Sequence, residues 1–206
     1  DVVTIESSRL GVQADFVNEQ GFDLGPILRW DMGRSDVEDS VVDRLDDVDG
    51  SLEFGGFAGL SYPVLTFEGE APLMFTSRLE VVHGVTDGHN GLTGTVSAGL
   101  LKPFNDFTLG GSASLGFSSD DYASAYFSVS AAESARTGLA QYDAEGGARN
   151  VGLNLFSSYA LTERWSLTGF ANYSRLIGDA ADSPIVDQRG DANPFIVGFG
   201  VSLQIF

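Results

Sequence analysis

The sequence predicts an all-β chain, a transmembrane antiparallel up-and-down β-barrel. Three observations carry this. In the last segment Phe195, Val197, Phe199, Val201, Leu203 and Ile205 alternate with Gly198, Gly200, Ser202 and Gln204, the period of a strand apolar on one face. Similar segments recur along the chain, separated by clusters of Gly, Asn, Asp and Pro, which mark turns. Short connections tend to alternate with long ones, the layout of an outer-membrane barrel.

Composition narrows the function classes. The chain has 206 residues and a formal net charge of -18, so it offers nothing to neutralise nucleic-acid phosphates. It has no cysteine, which removes disulfides and thiolate metal sites. It is 43% hydrophobic, with 26 Gly and 15 Phe; an acidic disordered chain would be poorer in apolar residues. No apolar run approaches the roughly 18 residues of a membrane helix. No secretory leader opens the sequence, so an exported protein would be seen here in mature or trimmed form.

Taken in order, Arg9 to Val17 alternates and NEQG (Asn18 to Gly21) is a turn. Phe22 to Gly33 sets Phe22, Leu24, Pro26, Leu28, Trp30 and Met32 against Asp23, Gly25, Arg29 and Asp31. Pro26 must cost a ladder bond or force a bulge. Arg34 to Gly50 is an acidic loop with seven Asp or Glu. Leu52 to Tyr62, Leu73 to Val82, Leu92 to Lys102 and Phe107 to Ser118 are further strands, joined by PVLTFEGE, TDGHNG and KPFND. Residues 119–147 form a long loop in which Ser130-Ala131-Ala132-Glu133 is a capping box and Gly138 a stop, predicting a short helix or folded lid. Asn150 to Thr162 is a strand, and a closing pair flanks a polar loop at 178–192. This makes nine strands, whereas bacterial barrels have even numbers with both ends in the periplasm. Either a turn hides near Glu6-Ser7-Ser8, or strands precede Asp1. Ten to twelve strands are expected in the intact protein, of which residues 1–206 are one barrel domain with N-terminal strand or strands missing.

If the apolar face meets lipid, the other lines the lumen. It carries Arg9, Asp15, Asp23, Arg29, Asp31, Glu53, Arg78 and Glu80. These charges either pair in a structural network or line a path for a small solute or cation. Trp165 and Tyr173 share a face at a spacing that suits the two membrane interfaces.

No catalytic constellation stands out. The two histidines, His83 and His89, lie in no HExxH or His-x-Ser spacing. Asp46-Asp47-Val48-Asp49-Gly50 fails the calcium-loop pattern and reads as a solvated loop. No catalytic residue, metal site or cofactor is assigned. Divalent cations bridging the acidic loops to lipopolysaccharide are compatible with the charge.

Three motifs resemble those of one family: YSRLIGDAADSPIVDQRG (Tyr173 to Gly190), GPILRWDMGR (Gly25 to Arg34) with the following RLDDVDG, and AYFSVSAAESARTGLAQYDAEGG (Ala125 to Gly147). In this order they resemble the MipA/OmpV family of Gram-negative outer-membrane proteins. The resemblance implies an outer-membrane β-barrel without enzymatic activity or cofactor. It implies a scaffold for a periplasmic murein hydrolase and synthase, or an osmotically regulated or adhesive surface protein. Lipid and lipopolysaccharide are then its surroundings. A small-solute or cation channel through the lumen is the alternative. One departure is Phe206, which shares parity with Gln204 and Ser202 rather than with the apolar face.

Overall fold

The computed structural model describes residues 4–8, 11–15, 17–19, 21–66 and 68–203, with the backbone alone before Gly21. Among the described residues eleven strands form one antiparallel sheet. They are β1 (Thr4–Ser8), β2 (Gly11–Asp15), β3 (Val17–Glu19), β4 (Phe22–Asp31), β5 (Ser51–Leu65), β6 (Leu73–Gly84), β7 (Leu92–Pro103), β8 (Phe107–Ser118), β9 (Gly147–Ala160), β10 (Trp165–Leu176) and β11 (Phe195–Leu203). From β4 onward each strand pairs with the next in the chain, which is the up-and-down order. Among the described residues no ladder joins β1 to β11. No described helix is long and apolar enough to cross a membrane.

The N-terminal region differs in detail from the expected single strand over Arg9 to Val17. The chain reverses between Ser8 and Gly11, which face each other across the β1–β2 ladder. Glu6, Ser7 and Ser8, where a turn is one of the two expectations, belong to β1 and the reversal follows them; among the described residues β1, β2 and β4 to β11 make a path of ten. β2 and β3 both pair with β4, but out of register by one residue. Gln13 faces Ile27, whereas Val17 faces Leu24. The slip lies opposite Gly25 and Pro26, so the proline leaves its mark as an irregularity on the neighbouring strand. On the other side β4 pairs with β5 without a slip, Pro26 facing Gly56. Arg9 and Phe206 lie outside the described residues.

The alternation sorts the faces. Leu24, Leu28, Leu60, Leu79, Val96, Leu155 and Leu167 are exposed on the outer face. Most outward aromatics sit near the strand ends, with Phe199 in the middle of β11 an exception. Phe22, Tyr62, Phe107, Tyr159 and Trp165 sit at the short-turn end, Trp30 and Phe195 at the long-loop end. An apolar band between aromatic girdles is the surface a bilayer requires. The inner face, which the sequence marks by its charges, also holds an apolar patch. Ile27, Phe57 and Val82 are buried there as an apolar cluster.

The long loops fold. Residues 119–146 carry α1 (Asp120–Phe127) and α2 (Ala131–Thr137). α2 starts with the predicted box, Ser130 and Glu133 capping each other's N–H groups, and stops at Gly138 with φ 82°, which glycine adopts without Cβ strain. The loop before β11, read as irregular, holds α3 (Asp179–Asp182) and α4 (Pro184–Arg189).

Candidate functional site

The site begins with the row order of the inner face. Asp23, Gly59 and Arg78 are consecutive across β4, β5 and β6. Asp23 reaches across Gly59 to Arg78, Oδ2 to Nη1 3.2 Å, and Arg78 Nε donates to Glu80 Oε1 at 2.6 Å. The Arg78 guanidinium also lies over the Phe57 ring, 3.7 Å from its centroid. The apolar cluster of Ile27, Phe57 and Val82 comes next. Beyond it, towards the long loops, Arg29 Nε donates to Glu53 Oε2 at 2.5 Å, and Arg29 Nη2 to Thr93 Oγ1 at 3.3 Å. The charged wall is therefore two networks with an apolar layer between them.

At the loop end the second network continues into Asp31 and His89. His89 is 1% exposed and comes from the short loop between β6 and β7. Its ring packs edge-on against Tyr122 of α1 at 4.8 Å, and Tyr122 stacks on Tyr126 at 4.6 Å. Tyr126 Oη donates to Asp31 Oδ1 at 2.5 Å, and Gly33 N to the same oxygen at 2.8 Å. Burial, reinforced by the Asp31 carboxylate, pushes the Tyr126 hydroxyl well above its usual range. His89 Nε2 lies 3.5 Å from Glu53 Oε1 and 3.9 Å from Asp31 Oδ2.

Above this junction three loops merge into a cap with its own core, Val42, Leu45, Val129, Leu139 and Ile185. Arg34 Nη1 donates to Tyr126 O at 2.8 Å, Asp46 N to Glu133 Oε1 at 3.0 Å, and Ser183 Oγ to Phe127 O at 2.6 Å. Arg136 pairs with Asp46. Arg189 grips Asp39 with two hydrogen bonds, 2.6 and 3.2 Å. That grip, with the Val42 and Val41 N–H groups, holds the Asp39 carboxyl down at about 2. Glu133 is opposed by burial, yet hydrogen bonds from Ser130 and from the Asp46 N–H keep its carboxyl below the usual range.

Of the charges read from the sequence, the structure joins Asp23, Arg78 and Glu80 in one network and Arg29 and Glu53 in the other, with Asp31 beside it. The Arg9 position and the Asp15 side chain fall outside the described residues. His89, read as part of a hairpin tip, was missed. Its only sequence signal is an imidazole in a short loop, and the partners that bury it come from elements far away in the chain. His83, by contrast, is exposed at the end of β6.

An antiparallel up-and-down sheet with an apolar outer band, aromatic girdles, short turns at one end and a folded cap at the other defines an outer-membrane β-barrel protein. The chain belongs to the MipA family: the family model described as MltA-interacting protein MipA matches residues 2–204. It is 29% identical over 153 residues to the MltA-interacting protein of Escherichia coli (strain K12), covering 74% of this chain and 57% of that protein. It is 28% identical over 123 residues to the putative outer membrane protein YiaT of the same organism, covering 60% of this chain and 49% of the relative. It is 34% identical over 90 residues to outer membrane protein OmpV of Vibrio cholerae serotype O1, covering 44% and 33%. The chain thus spans about half the length of the first two relatives. These names place it in the outer membrane of a Gram-negative bacterium, and none of them names an enzyme.

Proposed function

We propose that this protein is a non-catalytic scaffold or surface module of the outer membrane, linked to murein-enzyme assembly and built as one barrel domain. The observation that carries the reading is the state of the charged wall. Asp23, Arg78 and Glu80 pair in one network and Arg29 with Glu53 in another, and a folded cap stands over their loop end. Charges paired in this way fill and fix an interior; they do not present themselves to a passing ion. The name of the MltA-interacting relative supports a murein enzyme as the partner. Lipid and lipopolysaccharide are the proposed surroundings of the apolar band and the acidic cap.

With the short turns facing the periplasm, the docking element is the β5–β6 connection within Pro63 to Glu70. It is the longest turn described at that end and has Val64 and Leu65 exposed beside it. The test is affinity capture of a murein hydrolase or synthase on the detergent-solubilised protein. Capture should be lost when the PVLTFEGE stretch is replaced by a Gly-Ser loop. Failure to retain either enzyme with the native turn would count against the scaffold role.

A second reading has its own support. Across β7, β8 and β9 the inner face bears small neutral groups, Thr95, Ser97, Ser112, Ser114 and Ser158, which leave room opposite the charged wall. In that reading Arg9, Asp15, Asp23, Arg29, Asp31, Glu53, Arg78 and Glu80 line a path for a small solute or cation. Single-channel recording in planar bilayers separates the two.

A further inference from the structure

We propose that Asp31, Glu53 and His89 form a binding site for one divalent transition-metal ion, of which Zn²⁺ is the type, where the inner wall meets the cap. Their facing atoms lie within 4.8 Å of one another. Two ligands at 2.0–2.2 Å from a tetrahedral ion stand about 3.3–3.6 Å apart. The separation of 3.5 Å between His89 Nε2 and Glu53 Oε1 already meets this, the 3.9 Å from His89 Nε2 to Asp31 Oδ2 needs a small closure, and the Asp31–Glu53 edge, within 4.8 Å, must close further as the ion binds.

An independent observation points to a ligand. Glu53 Oε1 and His89 Nε2 are buried and make no hydrogen bond, in residues each 1% exposed. Buried polar atoms are nearly always paired, because one left unpaired loses its hydration without compensation. The other atoms of the three side chains are fastened. Arg29 holds Glu53 Oε2, Tyr126 and Gly33 hold Asp31 Oδ1, and the Gly91 N–H lies 3.3 Å from His89 Nδ1. The two carboxylates are each anchored by the far oxygen and turn the near one inward, as metal ligands with a supporting outer shell do.

The donor set selects the ion. One imidazole nitrogen with two carboxylates suits zinc and its neighbours, whereas Ca²⁺ and Mg²⁺ take oxygen ligands throughout. Arg29 cancels one carboxylate charge, which weakens the site relative to a bare pair. Binding through Nε2 also moves the imidazole proton to Nδ1 and breaks the long contact with the Gly91 N–H. A bound ion would tie the β6–β7 loop to β4 and β5 directly beneath α1. Asp31, Glu53 and His89 share no local spacing, so no sequence motif marks them as a metal site.

The test uses the full chain folded in detergent, stripped with chelator and titrated with Zn²⁺ in millimolar Mg²⁺, which occupies the acidic loops. One tightly bound ion per chain is expected. His89→Ala and Glu53→Gln should each weaken it about 100-fold or more, and Tyr126→Phe, through the outer shell, about 10-fold. Asp46→Asn with Asp47→Asn should leave it unchanged. Heat-modifiable gel migration confirms that each variant is folded. One equivalent of Co²⁺ added to the unaltered protein should give the d–d absorption of a nitrogen-ligated site, a readout that needs no variant. Absence of those bands, or Zn²⁺ affinity indifferent to His89→Ala in folded protein, would overturn the proposal. Nε2–H and Oε1 would then be left to a simple hydrogen bond.

Discussion

Asp23 reaches Arg78 because the residue between them has no side chain. A Cβ on Gly59 would stand 2.2 Å from Asp23 Oδ1 and 2.5 Å from Oδ2, so Gly59→Ala must push the carboxylate aside. We expect a loss of about 1–2 kcal/mol in urea unfolding. Combining it with Asp23→Asn should add almost nothing, since both remove one interaction. Phe57 carries the apolar layer between the charge networks. Phe57→Ala should cost about 3 kcal/mol, the price of an aromatic cavity, and should also leave the Arg78 guanidinium without its ring. The capping pair Ser130 and Glu133 could be read from the sequence because the partners are three residues apart. The contact of Tyr126 with Asp31 spans 95 residues, and nothing in either neighbourhood announces it. Interior charges could be assigned to a face by parity, but not to partners.

Among elements, the strands were legible and the cap was legible only in part. Phe107 to Ser118 was found with its observed bounds because alternation is uninterrupted there. α2 followed from its cap. α3 and α4, four and six residues long, were hidden in a stretch rich in Asp and flanked by Gly, although Ser183 followed by Pro184 is a helix start. The cap makes two measurable predictions. Ser130→Ala should destabilise it by about 1 kcal/mol, seen as faster hydrogen exchange over 131–137. The Asp39 carboxyl is depressed in the folded chain to about 2 from 3.8. Its contribution is therefore complete above the unfolded value and is lost as pH falls from about 4 through 2. An NMR titration of Asp39 should give that low midpoint, and Arg189→Ala should return it towards the ordinary carboxylate range. An unchanged midpoint in the variant would show that Arg189 does not hold the loop.

For the whole molecule, alternation, loop lengths and family motifs agreed on an outer-membrane barrel because each reports on the same boundary between lipid and water. What they could not reveal was how the interior is filled. That depends on residues brought together by strand register, such as Ile27, Phe57 and Val82, and on loops that pack over one another. We propose that paired charges below and a folded cap above leave no conducting path. Deleting residues 120–146 should remove α1 and α2 and, with a formal net charge of -18 on the chain, favour cations in any current that results. The most direct measurement is single-channel recording of the unaltered protein in a planar bilayer. A silent bilayer, with folded protein shown to be inserted, is the predicted result. Stable cation-selective steps from the unaltered protein would contradict it and make the charged wall a conducting path.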